Sequence, residues 1–216
     1  MSKGLNIAAK VLSIALYPLF LPTYAMCLFC YSYSMHIEFP LIFWSLLVVG
    51  STFVLTCIVP MLAIYIMVKM GKIQDFYIDK QEQRATPYML TLICFCIWYY
   101  LLSRLLQVPQ CVTMSIAGSM LALSVVSIIN FGWKISAHLT GFGCFIGGVL
   151  SYCLGIEAMP SWWILGPLFG LSLLLMYARI CLQAHTPAQV IIGWLWGLAC
   201  SVSPYMIFCL VHHESM

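Results

Sequence analysis

Charge is what this chain has least of. Nine Lys and Arg and six Asp and Glu amount to 7% of 216 residues, where a water-soluble domain carries about a quarter. That scarcity excludes a water-facing globule. The net charge of +3 comes from residues that form no run, so nucleic acid is not an expected partner. Clustered acids are missing too: there is no carboxylate cluster and no HExxH-type spacing, so neither a metal nor another cofactor is expected. No linker, internal repeat or low-complexity stretch divides the chain, which reads as one integral membrane domain over 1–216. Cysteine is plentiful, eleven in all, but nearly all lie within apolar runs, where each acts as a small hydrophobe. Cys27 and Cys30 have no second pair or neighbouring His with which to build a zinc or redox site.

What is present is apolar sequence, 63% of the chain, with a mean hydropathy of +1.03. Runs near the length of a spanning helix, about 20 residues, cover approximately 12–33, 41–68, 88–106, 111–129, 139–156, 162–180 and 190–211. The fifth is short and glycine-rich, GFGCFIGGVL, so six or seven spans are expected. Lipid admits only helices or closed barrels, and these runs lack the alternation of barrel strands. The fold class is therefore all-α, a polytopic membrane protein. The first run follows Lys3 and Lys10, outlasts a signal peptide and lacks a small-residue cleavage site, so it is expected to be retained as a span. The aromatic groups WYY (98–100) and SWW (161–163) fit interfacial belts.

If all seven runs span, the segments 69–87, 130–138 and 178–189 share a membrane face with the N-terminus. Together they hold eight of the nine Lys and Arg and leave Arg104 opposite. His138 and His185 lie on the crowded face as well. Three helices are expected to start there. Thr186-Pro187 offers an N-cap followed by Pro at the first helical position, with His185 just outside. Thr86-Pro87 repeats the device two residues after Arg84, and Ser136 with His138 opens the fifth run. Helix N-termini attract anions. Lys80 and Arg84, four apart, share a side if helical, and Arg179 adds a planar fork. These parts suit a phosphate.

The order Lys80…Arg84…Pro87, Ser136-Ala137-His138, Arg179-x5-His185 resembles the type 2 phosphatidic acid phosphatase (PAP2) superfamily. Its motifs are K-x6-RP, PSGH and SR-x5-H-x3-D, and a PAP2-like core would occupy about 70–211. The chain departs from the pattern in several places. Three residues separate Lys80 from Arg84 instead of six, and Pro87 is displaced from Arg84 by two. Ile135 and Ala137 replace the Pro and Gly of the second motif, and Ala178 replaces the Ser of the third. Gln189 stands where the family has an acid.

The resemblance implies a metal-independent membrane phosphatase acting on a phosphorylated membrane lipid. His185 would be the nucleophile that forms a phosphohistidine, and His138 the general acid for the leaving group. Lys80, Arg84, Ser136 and Arg179 would bind phosphoryl oxygens, with Lys134 as an added contact. Gln189 would orient His185 through its carbonyl oxygen without supplying charge. Slower turnover, or a substitute carboxylate from Asp75, Asp79 or Glu82, both remain open. So do two alternatives: a degenerate relative that binds lipid phosphates or moves a phosphoryl group, and a small transporter. The cell (inner) membrane is the expected location. Basic residues favour a cytoplasmic site, whereas the resemblance implies an outward one.

Overall fold

The computed structural model describes residues 3–36, 42–74, 78, 81–157 and 162–213, among which there is no strand. The helices are α1 (Lys3–Ala15), α2 (Leu21–His36), α3 (Ile42–Phe53), α4 (Val59–Lys69), α5 (Ala85–Tyr100), α6 (Gln110–Ile129), α7 (Ala137–Gly155), α8 (Trp162–Cys181) and α9 (Pro187–His213). A π-helical turn, Val54–Ile58, joins α3 to α4, and another, Leu101–Leu105, extends α5. The first lies just before Pro60, whose missing N–H and ring bulk disturb the regular ladder. Among the described residues, six continuous stretches are long and apolar enough to cross a bilayer: Ile42–Lys69, Gln81–Leu105, Gln110–Ile129, Ala137–Gly155, Trp162–Cys181 and Pro187–Val211. The protein is an all-α polytopic membrane protein.

The first apolar run does not form one span over 12–33. It breaks between Ala15 and Leu21, because Pro18 has no N–H to continue the ladder of α1. The turn closes instead through Tyr17 N–H to Ile14 O (3.2 Å) and Phe20 N–H to Tyr17 O (2.9 Å). At 1.5 Å per residue α1 is roughly 20 Å long, short of a hydrocarbon core of about 30 Å. It packs against α8. The turn is anchored by Thr56 Oγ1, which donates to Leu19 O at 3.3 Å, and by Leu19 itself in a buried cluster with Ile64, Ile73 and Ile78.

α7 and α9 form the most intimate pair, with α6 packed on both. Each carries glycines four apart, Gly143/Gly147 and Gly193/Gly197, the spacing that lets two membrane helices approach backbone to backbone. A β-carbon on Gly143 would collide with Trp194 O, and one on Gly197 with Thr140 O. Ser201 continues the stripe, its hydroxyl 2.6 Å from that of Ser115 on α6. A second cluster fills the opposite end of the bundle, where Phe29, Val48, Trp98, Leu102 and Tyr152 are buried together. Trp98 therefore departs from the interfacial belt expected of it: it is 2% exposed and donates from Nε1 to Thr52 Oγ1 at 2.8 Å. Trp162 and Trp163 stand fully outside, as a belt requires.

The starts of α5, α7 and α9 and the end of α8 come together at one end of the bundle, around a cavity lined by Arg84, His138, Arg179 and His185. Arg104 lies exposed in the π-helical turn at the other end. Lys72→Cys and Arg104→Cys are accordingly expected to react with a membrane-impermeant maleimide from opposite sides of the membrane. Labelling of both from one side, before permeabilisation, contradicts this arrangement.

Candidate active site

Local chain geometry explains how Arg179 and His185 meet. α8 ends in a Schellman motif: Gln183 takes the left-handed conformation (φ 54°), its N–H bonds Ile180 O at 2.9 Å, and Ala184 N–H bonds Arg179 O at 3.1 Å. The chain thus folds back over the last turn of α8. Two residues later α9 opens with a capping box. Thr186 Oγ1 accepts from Gln189 N–H at 3.4 Å, and Gln189 Oε1 accepts from Thr186 N–H at 3.1 Å. The same Oε1 is 3.1 Å from His185 Nδ1. An amide oxygen is only an acceptor, so Nδ1 carries the proton and Nε2 keeps its lone pair.

His185 is 8% exposed. Burial first, then the Arg179 guanidinium, pushes its pKa down to about 4 against the bond from Gln189, with Arg84 and Lys134 adding to the depression. The ring is a neutral imidazole through the physiological range. Because the unfolded chain takes up this proton first, the contribution to stability is intact above about pH 6.5 and fades as pH falls toward 4.

His138 sits at the second position of α7, behind Ser136 as N-cap. Its Nε2 lies 3.2 Å from the carbonyl of Ser13, which can only accept, so Nε2–H donates and Nδ1 is left for chemistry. Tyr17 packs edge-on at 5.4 Å between ring centroids. Arg84, Arg179 and His185 all act on this imidazole electrostatically. Neither Ser13 nor Tyr17 carries any signal in the sequence, because the contact spans 125 positions.

Arg84 is 6% exposed. Its Nε donates to Ile78 O at 2.9 Å, and Tyr88 stands beside its guanidinium. Ile78 holds φ at +47°, an unusual conformation for a β-branched residue. Both of these partners are neutral, so an anion is the natural complement to the buried charge. The helix begins earlier than Thr86-Pro87 suggests: a 3₁₀ turn, Gln81–Arg84, runs into α5, with Arg84 as its N-cap. Thr86 and Pro87 fall inside the first turn, where a missing N–H still costs no helical bond. Asn130 secures this turn through Nδ2–H to Gln81 O at 2.9 Å, and Gln81 Nε2–H returns the contact to Asn130 O.

The remaining candidates fall into place unevenly. Lys134 lies near enough to His185 to disfavour its charge. Ser136 is fully buried and donates its N–H to Gln189 O at 3.4 Å. Its hydroxyl has no hydrogen-bond partner among the described residues, does not cap α7 and does not border the cavity. Lys80, Asp75 and Asp79 lie outside the described residues. Glu82 borders a separate depression with Lys72 and Gln83, not the cavity of His185. Among the described residues no three His, Cys, Asp or Glu side chains converge as a metal site would need.

Comparison of the chain with family models, with curated proteins and with solved structures returned no match. The chemistry of the site therefore has to be argued from its own groups. Gln189→Glu offers a direct test of the electrostatics. It keeps the capping box but sets a carboxylate against Nδ1, which favours the imidazolium and raises the pKa of His185 by about 1 to 3 units. The acid limb of kcat/KM is expected to move up from about pH 4 accordingly. An acid limb that stays in place means that His185 is not the group being titrated.

Proposed function

We propose that this membrane protein is a phosphatase of the PAP2 type, hydrolysing a lipid phosphate or diphosphate through a phosphohistidine. The observation that carries the proposal is the pairing of His185 and His138 on one cavity with two buried guanidinium groups, each imidazole fixed by an acceptor on one nitrogen. The Nε2 lone pair of His185 attacks phosphorus, forming an N–P bond while the P–O bond to the lipid breaks. His138 Nδ1 gives its proton to the departing oxygen. The neutral ring then takes a proton from water, whose oxygen attacks phosphorus and breaks the N–P bond. His138 is reprotonated and inorganic phosphate leaves. Arg84 and Arg179 stabilise the charge spread over the phosphoryl oxygens. The bound dianion itself favours the imidazolium that His138 must be to act as an acid.

Gln189 favours one other reading. Its oxygen is shared between His185 Nδ1–H and Thr186 N–H and contributes no negative charge to the positive ring that forms during transfer. Such a site can bind a lipid phosphate, or pass a phosphoryl group to another lipid, with little hydrolysis. A phosphate-release screen over lipid monophosphates and diphosphates, run on the purified protein, separates the two. Release from at least one class supports the phosphatase. Tight binding with no release under any substrate leaves the binding or transfer role.

A further inference from the structure

The cavity does not stop at the charged groups. It continues between α2, α5, α6 and α7 to Phe29, Trp98 and Tyr152 at the other end of the bundle. From His138 to Tyr152 along α7 is roughly 21 Å at 1.5 Å per residue. Its volume is about 440 Å³, drawn out along that length.

The wall is built to suit hydrocarbon. Three of its hydroxyl groups direct their hydrogen bonds to the protein: Thr91 Oγ1 to Pro87 O at 2.8 Å, Thr140 Oγ1 to Ser136 O at 3.0 Å, and Ser115 to Ser201 at 2.6 Å between oxygens. What faces inward is mostly methyl and ring carbon. The far end is firm. Trp98 is pinned to Thr52, and Phe29 meets Tyr152 edge-to-face at 5.2 Å. Leu102 and Val108 pack into the same buried cluster.

We infer that this cavity is a sleeve for the long hydrocarbon chain of the phosphorylated substrate. Its floor at Phe29, Trp98 and Tyr152 limits the length of chain accepted. The inference rests on the phosphatase proposal for which group ends the chain, but the fit of the chain is independent of any chemistry. Occupancy follows from burial: each methylene drawn from water raises affinity about four-fold, so affinity rises with chain length until the floor is reached.

The test uses n-alkyl phosphates of graded length carrying a terminal bromine, which quenches tryptophan on contact. The signal of Trp98 is the difference between wild type and Trp98→Phe. Quenching of Trp98 is expected only from chains long enough to span the sleeve. Gly148→Leu on α7 and Ala25→Phe on α2 plug the sleeve from opposite walls. Each should weaken the long-chain probe at least ten-fold relative to butyl phosphate, so the test survives if one fails to fold. Equal quenching by short and long chains overturns the sleeve. Phosphate release from every chain length alike, without Trp98 quenching, overturns the sleeve and leaves the phosphatase standing. Graded quenching with no phosphate released by wild type retains the sleeve and overturns the phosphatase.

Discussion

His185→Ala is expected to reduce phosphate release by about four to six orders of magnitude, as loss of a nucleophile does in enzymes with a covalent intermediate. The wild-type intermediate is itself diagnostic. A phosphoramidate on His185 survives alkali and falls apart in acid, and the variant should show none. The size of the effect follows from how completely the site commits this ring to attack. Gln189 holds Nδ1–H at 3.1 Å, burial and Arg179 keep the ring neutral down to about pH 4, and Nε2 is the nitrogen left toward the cavity. No water can occupy Nε2's place with the same nucleophilicity and alignment. The fold should tolerate the change. The ring's described hydrogen bond is to the side chain of Gln189, whose oxygen keeps Thr186 N–H as a partner in the variant. A melting temperature within a few degrees of wild type, together with lost release, assigns the loss to chemistry. Release that persists in a folded His185→Ala removes this residue from the mechanism. A second comparison sharpens the result: Arg179→Lys keeps the charge but loses the planar fork, and should cost far more in turnover than a surface Lys to Arg exchange costs.

The parts of the site that were legible in the sequence are those made by short-range geometry. Arg179 and His185 are brought together by six residues of chain, through a helix end and a helix start whose cues, Thr186 and Pro187, stand in the sequence. The all-α class followed from runs of apolar residue alone. The crowding of basic residues and histidines onto one face was legible from loop parity, and the cavity-lining Arg84, His138, Arg179 and His185 do share one end. What was not legible depends on contacts far apart in sequence or on a background that hides the signal. Pro18 lies inside an apolar run, so composition alone makes 12–33 one span, although the break at 16–20 is what delivers Ser13 and Tyr17 to His138. Trp98 looks interfacial beside Tyr99 and Tyr100, because nothing local reveals Thr52 as its partner. Gln189 reads as the loss of a carboxylate, yet it closes a capping box that an acid of the family's length would build differently. The glycines of GFGCFIGGVL read as a weak span, whereas they mark its tightest interface.

That interface gives the largest expected effect on stability. Gly197→Ala adds one methyl group, and the added carbon would fall on Thr140 O and within 3.0 Å of Cys144 N. Both are backbone atoms of α7, so no rotamer change relieves the clash and the helices must separate. Overpacking of this kind costs typically 1–3 kcal/mol. Here the upper end or beyond is expected, since Gly143 faces Trp194 O in the same close approach and cannot accommodate a shift. The consequence reaches the site directly. α7 begins one residue before His138 and α9 begins two residues after His185, and Ser136 N–H bridges to Gln189 O at 3.4 Å. Prising the helices apart therefore moves His138 away from His185 as well as lowering the melting temperature. Gly170→Ala on α8 is the matched control, because a β-carbon there meets nothing within 4 Å, and trading Gly for Ala within a helix stabilises by roughly 0.5–1 kcal/mol. The two substitutions are thus expected to act in opposite directions on thermal unfolding in detergent, with phosphate release lost only in Gly197→Ala. Were both variants to melt together at or above the wild-type temperature, the backbone-to-backbone contact of α7 and α9 would not be what holds the two histidines in place.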